Sequence, residues 1–198
     1  MSISGVVGGR RLTAARVVAL ALLAGAVWWG AANVRGVVGW FYPVYYRDVI
    51  ERWSGAHGLD PWLVAAVVKV ESNFSTTAVS PRGAIGLMQV LPETGRWVAE
   101  QIGARDFFPD LLLDPETNVR MGTWYLASLL EEFSGREAAA LAAYNAGRGR
   151  VRRWMAEAGW DGSLEGLDAV PFAETRQFVR KVLRMRRVYG WVHGRPAP

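Results

Sequence analysis

Val17–Val34 is an uninterrupted run of 18 uncharged, mostly apolar residues. Beyond it, apolar positions recur at spacings of three and four, the period of a helix buried along one face. Tyr46, Val49, Ile50 and Trp53 form the first such stripe, with Gly55 and Gly58 to end it. Asp60-Pro61 then pairs an N-cap acceptor with a proline at the first helical position. Leu63, Val64, Val67, Val70 and Glu71 follow on one stripe, and Ser72-Asn73 is its expected end because Asn tolerates left-handed backbone. Ser80-Pro81-Arg82-Gly83 reads as a tight turn. The Gly-Ala-Ile-Gly stretch of 83–86 marks close passage of the backbone by a partner segment or a ligand. Pro92 opens a helix carrying Trp97, Val98 and Ile102. Asp114-Pro115 repeats the cap and leads into Val119, Gly122, Leu126, Leu129, Leu130 and Phe133, closing near Gly135. Ala138–Tyr144 is a short Ala-rich helix stopped by Asn145-Ala146-Gly147, and Pro171 opens a last long helix reaching about Gly190. The pattern predicts a mainly α domain of five to seven helices over residues 45–190. One small irregular or β-like element is expected around 79–91, and residues 191–198 read as a disordered tail.

The first apolar run has a different character. Arg10, Arg11 and Arg16 precede it, so residues 1–16 read as a short basic segment on the cytoplasmic side, and 17–34 as a transmembrane helix near the lower length limit of about 20 residues. Trp28, Trp29, Trp40, Phe41 and Tyr42 suit the headgroup layer. Residues 35–44, interrupted by Gly36, Gly39 and Pro43, read as a connector. A signal peptide cut after Ala24-Gly25-Ala26 is the competing reading. The continuing apolar stretch and its aromatic end favour an uncleaved, single-pass anchor. Either way the domain that follows lies outside the cytoplasmic membrane, secreted if the segment is cut.

Composition narrows the chemistry. The chain has 198 residues, no Cys and two His, His57 and His193. Disulfides, thiolate catalysis and a His-rich metal centre are therefore excluded, leaving carboxylates as the reactive groups. No cofactor or metal is expected. A net charge of +5 favours anionic partners such as lipid headgroups or acidic wall polymers. Zinc-finger spacing, a phosphate-cradling Gly-rich loop and RNA-binding aromatic signatures are all missing, so no nucleic-acid partner is expected. The 10 Trp are either core residues or flat surfaces on which a ligand stacks. A monomer is expected.

Glu71 stands out because a carboxyl falls on the stripe that faces the core. Burial against apolar walls raises a carboxyl's pKa and keeps it protonated near neutral pH, as a general acid requires. The alternative is a helix-end Glu whose head reaches solvent. Other candidates are ambiguous one at a time. Leu87 and Met88 could be core, Gln89 could satisfy a backbone group, Tyr144 could be a core ring with its hydroxyl tied back, and Glu174 could favour a helix N-terminus.

Taken together, Glu71-Ser72-Asn73-Phe74, Ser80-x-x-Gly83-Ala84-x-Gly86-Leu87-Met88-Gln89, Ala143-Tyr144-Asn145-Ala146-Gly147 and Pro171-Phe172-x-Glu174-Thr175 resemble the family 1 lytic transglycosylases, which carry the soluble-lytic-transglycosylase (SLT) domain. The resemblance runs from about Tyr42 to Tyr189. It implies a lysozyme-like helical fold and cleavage of the β-1,4 bond between N-acetylmuramic acid and N-acetylglucosamine in peptidoglycan strands, leaving 1,6-anhydromuramyl ends. On this resemblance Glu71 is the sole catalytic acid/base with Tyr144 beside it. Ser80, Met88, Gln89, Asn145 and Glu174 line the sugar-binding cleft. Two positions depart from the family pattern: Val90-Leu91-Pro92, where a Met often precedes the Pro, and Phe178, where a Tyr is common. A lysozyme-type hydrolase acting on the same bond and a catalytically inactive wall-binding protein are the alternatives.

Overall fold

A computed structural model of the chain describes residues 7–194, with side chains from residue 15 on. The chain divides between Pro43 and Val44 into two compact units. The first is one helix, α1, Val7–Phe41. Its stretch Ala15–Phe41, with mean hydropathy 1.8, is long and apolar enough to cross a membrane. The helix passes straight through Gly36 and Gly39, so most of the expected connector at 35–44 is helical. Each glycine costs a helix only about 1 kcal/mol, whereas Pro43, which restricts the residue before it, ends the helix. The basic segment is helical from Val7 on, and its first six residues lie outside the described residues.

The second unit contains seven α-helices among the described residues: α2 (Arg47–Ala56), α3 (Pro61–Ser72), α4 (Pro92–Gln101), α5 (Pro115–Glu132), α6 (Glu137–Ala146), α7 (Arg148–Glu157) and α8 (Ala173–His193). Two 3-10 turns, Pro109–Leu113 and Glu165–Ala169, join them. The predicted caps are in place. The Asp60 carboxylate accepts from the Trp62 amide at 2.9 Å, and that of Asp114 accepts from the Thr117 amide at 2.8 Å. Each such bond is worth about 1 kcal/mol. Asn73 closes α3 in the left-handed conformation (φ 52°). α7 was not legible in the sequence, because Val151 is its only fully buried residue and leaves no apolar stripe.

α3 and α6 are the buried helices. Trp62 through Val68 are all at most 2% exposed, as is Ala139 through Ala143 on α6. A helix apolar on every side belongs inside, and the alanines of α6 let α5, α7 and α8 approach closely. All core residues lie between Val49 and Tyr189, and no part of α1's apolar window is buried. The unit from Val44 on therefore folds around a core of its own. α8 runs on through Trp191 to His193, which corrects the disordered tail expected from 191. The Trp62 indole N–H donates to the Gly194 carbonyl at 2.8 Å, and the His193 ring stacks on Trp62 at 5.4 Å. The last four residues of that tail lie outside the described residues.

Antiparallel bridges Val79 to Ile85 and Ile85 to Val90 make the small β-like element. Its Ser80 turn closes with the Gly83 amide donating to the Ser80 carbonyl at 2.8 Å. Gly86 (φ +76°) is the close approach, and its neighbour is a protein segment. A methyl there would sit 2.4 Å from the Asn118 amide nitrogen and from the Leu112 carbonyl.

Candidate active site

Three helix ends meet at one cleft: the last turn of α3, the last turn of α6 and the first turn of α8. The β-like loop closes its remaining side. Glu71, Ser80, Gln89, Tyr144, Asn145 and Glu174 line this cavity of about 370 Å³. Six of the seven residues proposed from sequence thus come together from segments up to a hundred residues apart. Met88 does not. Its side chain is 0% exposed and packs where any Cβ on Gly122 of α5 would meet it, with its sulfur at 2.5 Å. It borders the site only through its backbone.

Glu71 has no hydrogen-bond or ion-pair partner among the described residues and sits half-buried at the end of an apolar helix. Its pKa rises from 4.5 to about 8, chiefly because burial removes water from the charged form and secondarily through the negative charge of Glu174. Such a carboxyl carries its proton at neutral pH. Glu174 lines the same cleft and is exposed, in the first turn of α8 where the helix dipole favours an anion. The Tyr144 hydroxyl donates to the Met88 carbonyl at 2.7 Å. Burial, then the charge of Glu71, pushes the phenol well above its ordinary value, so it stays un-ionised.

The remaining polar side chains are oriented by the fold. Both amide hydrogens of Gln89 are committed, to the Ala78 and Gly86 carbonyls at 3.0 Å, which leaves its carbonyl oxygen as acceptor. These bonds hold Gln89 at φ 48°, a strained conformation for a residue with a Cβ. The Ser80 hydroxyl accepts from the Ala84 amide at 3.0 Å and keeps its own hydrogen to donate. The Asn145 carbonyl oxygen accepts from Thr175 at 2.8 Å, so its NH₂ is free toward the cleft.

Behind the loop stands Asn118, fully buried and unnoticed in the sequence. It accepts from the Met88 amide and donates to the Ile85 and Leu112 carbonyls, each at 2.8 Å. The Ser72 hydroxyl adds a second tie, to the Leu87 carbonyl at 2.8 Å. A second chamber of about 440 Å³ shares Arg82, Gln89, Leu91, Tyr144 and Asn145 with the first and adds Tyr125 and Arg150. The cleft is therefore a groove, not a pit. A larger cavity, about 790 Å³, lies at the other ends of α3, α6 and α8. Two of its acids, Asp60 and Glu137, are both tied to Arg186 at 2.6 Å. Among the described residues no cluster of three or more His, Asp or Glu side chains could hold a metal.

Residues 48–165 match the protein family described as the transglycosylase SLT domain. The chain belongs to that family. Curated relatives agree with this SLT domain. The soluble lytic murein transglycosylase of Escherichia coli is 34% identical over 155 residues, covering 77% of this chain and 24% of the relative. The membrane-bound lytic murein transglycosylase C of Actinobacillus pleuropneumoniae is 32% identical over 167 residues, covering 73% of this chain and 45% of the relative. The chain thus spans about a quarter to under half the length of these proteins. The crystal structure of the 70 kDa soluble lytic transglycosylase of E. coli superposes with a TM-score of 0.74 at 30% identity, over 85% of this chain and 29% of that one. An inactive mutant of the lytic transglycosylase Slt from Pseudomonas aeruginosa superposes with a TM-score of 0.73 at 31% identity, over 90% and 30%. The fold is that of the soluble lytic transglycosylases, mainly helical as the sequence predicted. Phe178 of this SLT domain is 6% exposed and packs in the core, a place where an apolar ring needs no hydroxyl partner.

Proposed function

We propose that this SLT domain is a peptidoglycan lytic transglycosylase that cleaves the N-acetylmuramic acid–β-1,4–N-acetylglucosamine bond, with Glu71 as the one acid/base. The observation that carries this reading is a half-buried carboxyl, its pKa raised by burial, with no hydrogen-bond or ion-pair partner among the described residues, set in an open groove among polar groups already oriented by the fold. A wall-binding protein without activity has no use for such a carboxyl, whose burial costs stability.

Glu71 donates its proton to the bridging oxygen as the C1–O bond breaks, while the muramyl N-acetyl group supports the cation developing at C1. Glu71, now a carboxylate, takes the proton from the sugar's own 6-hydroxyl, and O6 closes on C1 to leave a 1,6-anhydro end. The intramolecular nucleophile outcompetes water because well-oriented groups reach effective molarities on the order of 10⁵ M. Glu174 acts through its charge, holding the Glu71 proton in place until substrate arrives. Tyr144, its own hydrogen held by Met88, turns its oxygen's remaining lone pairs toward the acid. Asn145 NH₂, the Gln89 carbonyl oxygen and the Ser80 hydroxyl hold the N-acetyl and hydroxyl groups of the sugars.

Glu174 is also the observation that favours a second reading. A second carboxyl across the cleft is what a hydrolase uses to activate water. Mass spectrometry of digested wall separates the two, since anhydromuramyl products are lighter by one water per cut. Comparing release by wild type and E71Q ties the activity to this residue. Equal release by both overturns the assignment.

The domain is proposed to act outside the cytoplasmic membrane, tethered by α1 with its basic N-terminal flank inside. Support comes from the length and apolarity of α1 and from the three arginines that precede its apolar run.

A further inference from the structure

Of the six basic residues on α8, the fold uses three. Arg176 donates to the Val170 and Pro171 carbonyls, Arg180 pairs with Asp168, and Arg186 bridges Asp60 and Glu137. Lys181, Arg184 and Arg187 have no acidic partner among the described residues, and all three are exposed. Steps of three place them along one side of the helix, and Trp191, 42% exposed, continues that side one turn beyond Arg187. The opposite side, Phe178, Val179, Val182, Leu183 and Tyr189, is the buried one. A row of cations ending in an exposed Trp has the composition of a surface that rests on anionic lipid headgroups.

The chain enters the domain alongside α3, with the Tyr45 ring edge-on to Phe74 at 5.6 Å just past its last turn. The Arg47 guanidinium stands 5.2 Å over the Trp62 ring, which stacks on His193 at 5.4 Å. Arg47 is the first residue of α2, and five residues, 42–46, separate it from the end of α1. Those five residues reach about 20 Å at full extension. Two of them, Tyr45 and Tyr46, are exposed aromatics of the kind that settle among headgroups.

We propose that the C-terminal half of α8, through Lys181, Arg184, Arg187 and Trp191, docks on an anionic lipid surface. The proposal deepens the tethered reading given above. Lipid is favoured as the occupant because the same chain carries in α1 a helix long and apolar enough to cross a membrane.

The test uses residues 44–198, which carry a core of their own. Sedimentation with phosphatidylcholine vesicles is compared with vesicles containing one third phosphatidylglycerol, at low and high salt. The docking predicts binding to the anionic vesicles only, weakening as salt rises. K181Q/R184Q/R187Q should weaken it about a hundredfold, each cation contributing roughly fivefold, and W191A should weaken it further. Unchanged activity of the triple variant on dispersed peptidoglycan, with wild-type circular dichroism, shows that fold and cleft are intact. Equal binding of wild type to neutral and anionic vesicles overturns the proposal. So does a triple variant that keeps vesicle binding but loses binding to purified wall, since the patch then belongs to a wall polymer. Loss of activity in both proteins would count against the catalytic reading and leave the vesicle result to stand by itself.

Discussion

The Thr175 hydroxyl donates to the Asn145 side-chain carbonyl at 2.8 Å, fastening the end of α6 to the start of α8. The bond has two consequences for the cleft. It aims the Asn145 NH₂ at the groove, and it fixes the turn that carries Glu174 next to the one that carries Tyr144.

Thr175→Val keeps the shape of this buried side chain and removes the donor. A neutral hydrogen bond contributes about 1 kcal/mol, so the substitution should raise KM about fivefold with a smaller change in kcat. Steady-state kinetics on soluble glycan fragments reads the split. A change confined to thermal stability would make Thr175 a packing residue.

Removing the acid should stabilise the fold. A carboxyl whose pKa is raised by folding binds its proton more tightly in the folded chain. Stability therefore falls as pH rises from the ordinary value of 4.5 to about 8. Glu71→Gln has no such dependence. It should gain on wild type across that window, by roughly 5 kcal/mol at most, less for the solvent contact Glu71 keeps. Urea unfolding at pH 4.5, 6 and 8 measures the gap, and a gap that does not widen with pH shows that Glu71 ionises freely.

Glu174 raises the pKa of Glu71 by its charge. In Glu174→Gln the alkaline limb of the kcat/KM pH profile, set by loss of the Glu71 proton, should move to lower pH while the rate at acidic pH stays within a few-fold of wild type. Loss of activity at every pH would instead make Glu174 a participant in the bond-breaking step.

Much of the architecture was legible in the chain, because local rules decide it. Asp60-Pro61, Asp114-Pro115 and Asn73 mark helix boundaries through cap bonds that lie within four residues of one another. The missed features depend on distant partners. Asn118 sits among apolar neighbours on α5 and only the loop thirty residues earlier explains it. His193 and Gly194 read as tail until Trp62 is brought beside them. Met88 adjoins Gln89 in a motif, and the left-handed turn at Gln89 puts the two side chains in different places, one in the cleft and one in the core. The candidate site needed all four motifs together, since each alone had an equally good packing explanation.

Asn118 should be the costliest polar residue to alter away from the cleft. Asn118→Asp keeps the shape and loses the NH₂ that serves the Ile85 and Leu112 carbonyls. Two buried acceptors left unsatisfied cost about 2–5 kcal/mol, and the 79–91 loop should exchange its amide hydrogens faster. Wild-type stability and exchange in this variant would show that the loop is held by Ser72 and packing alone.

The central claim is that the proton of Glu71 is returned by the sugar itself, with no water consumed. Digesting purified peptidoglycan in heavy-oxygen water and weighing the released muropeptides tests it most directly. The account predicts muramyl ends lighter by one water and free of the heavy isotope. Reducing muramyl ends carrying heavy oxygen would contradict it.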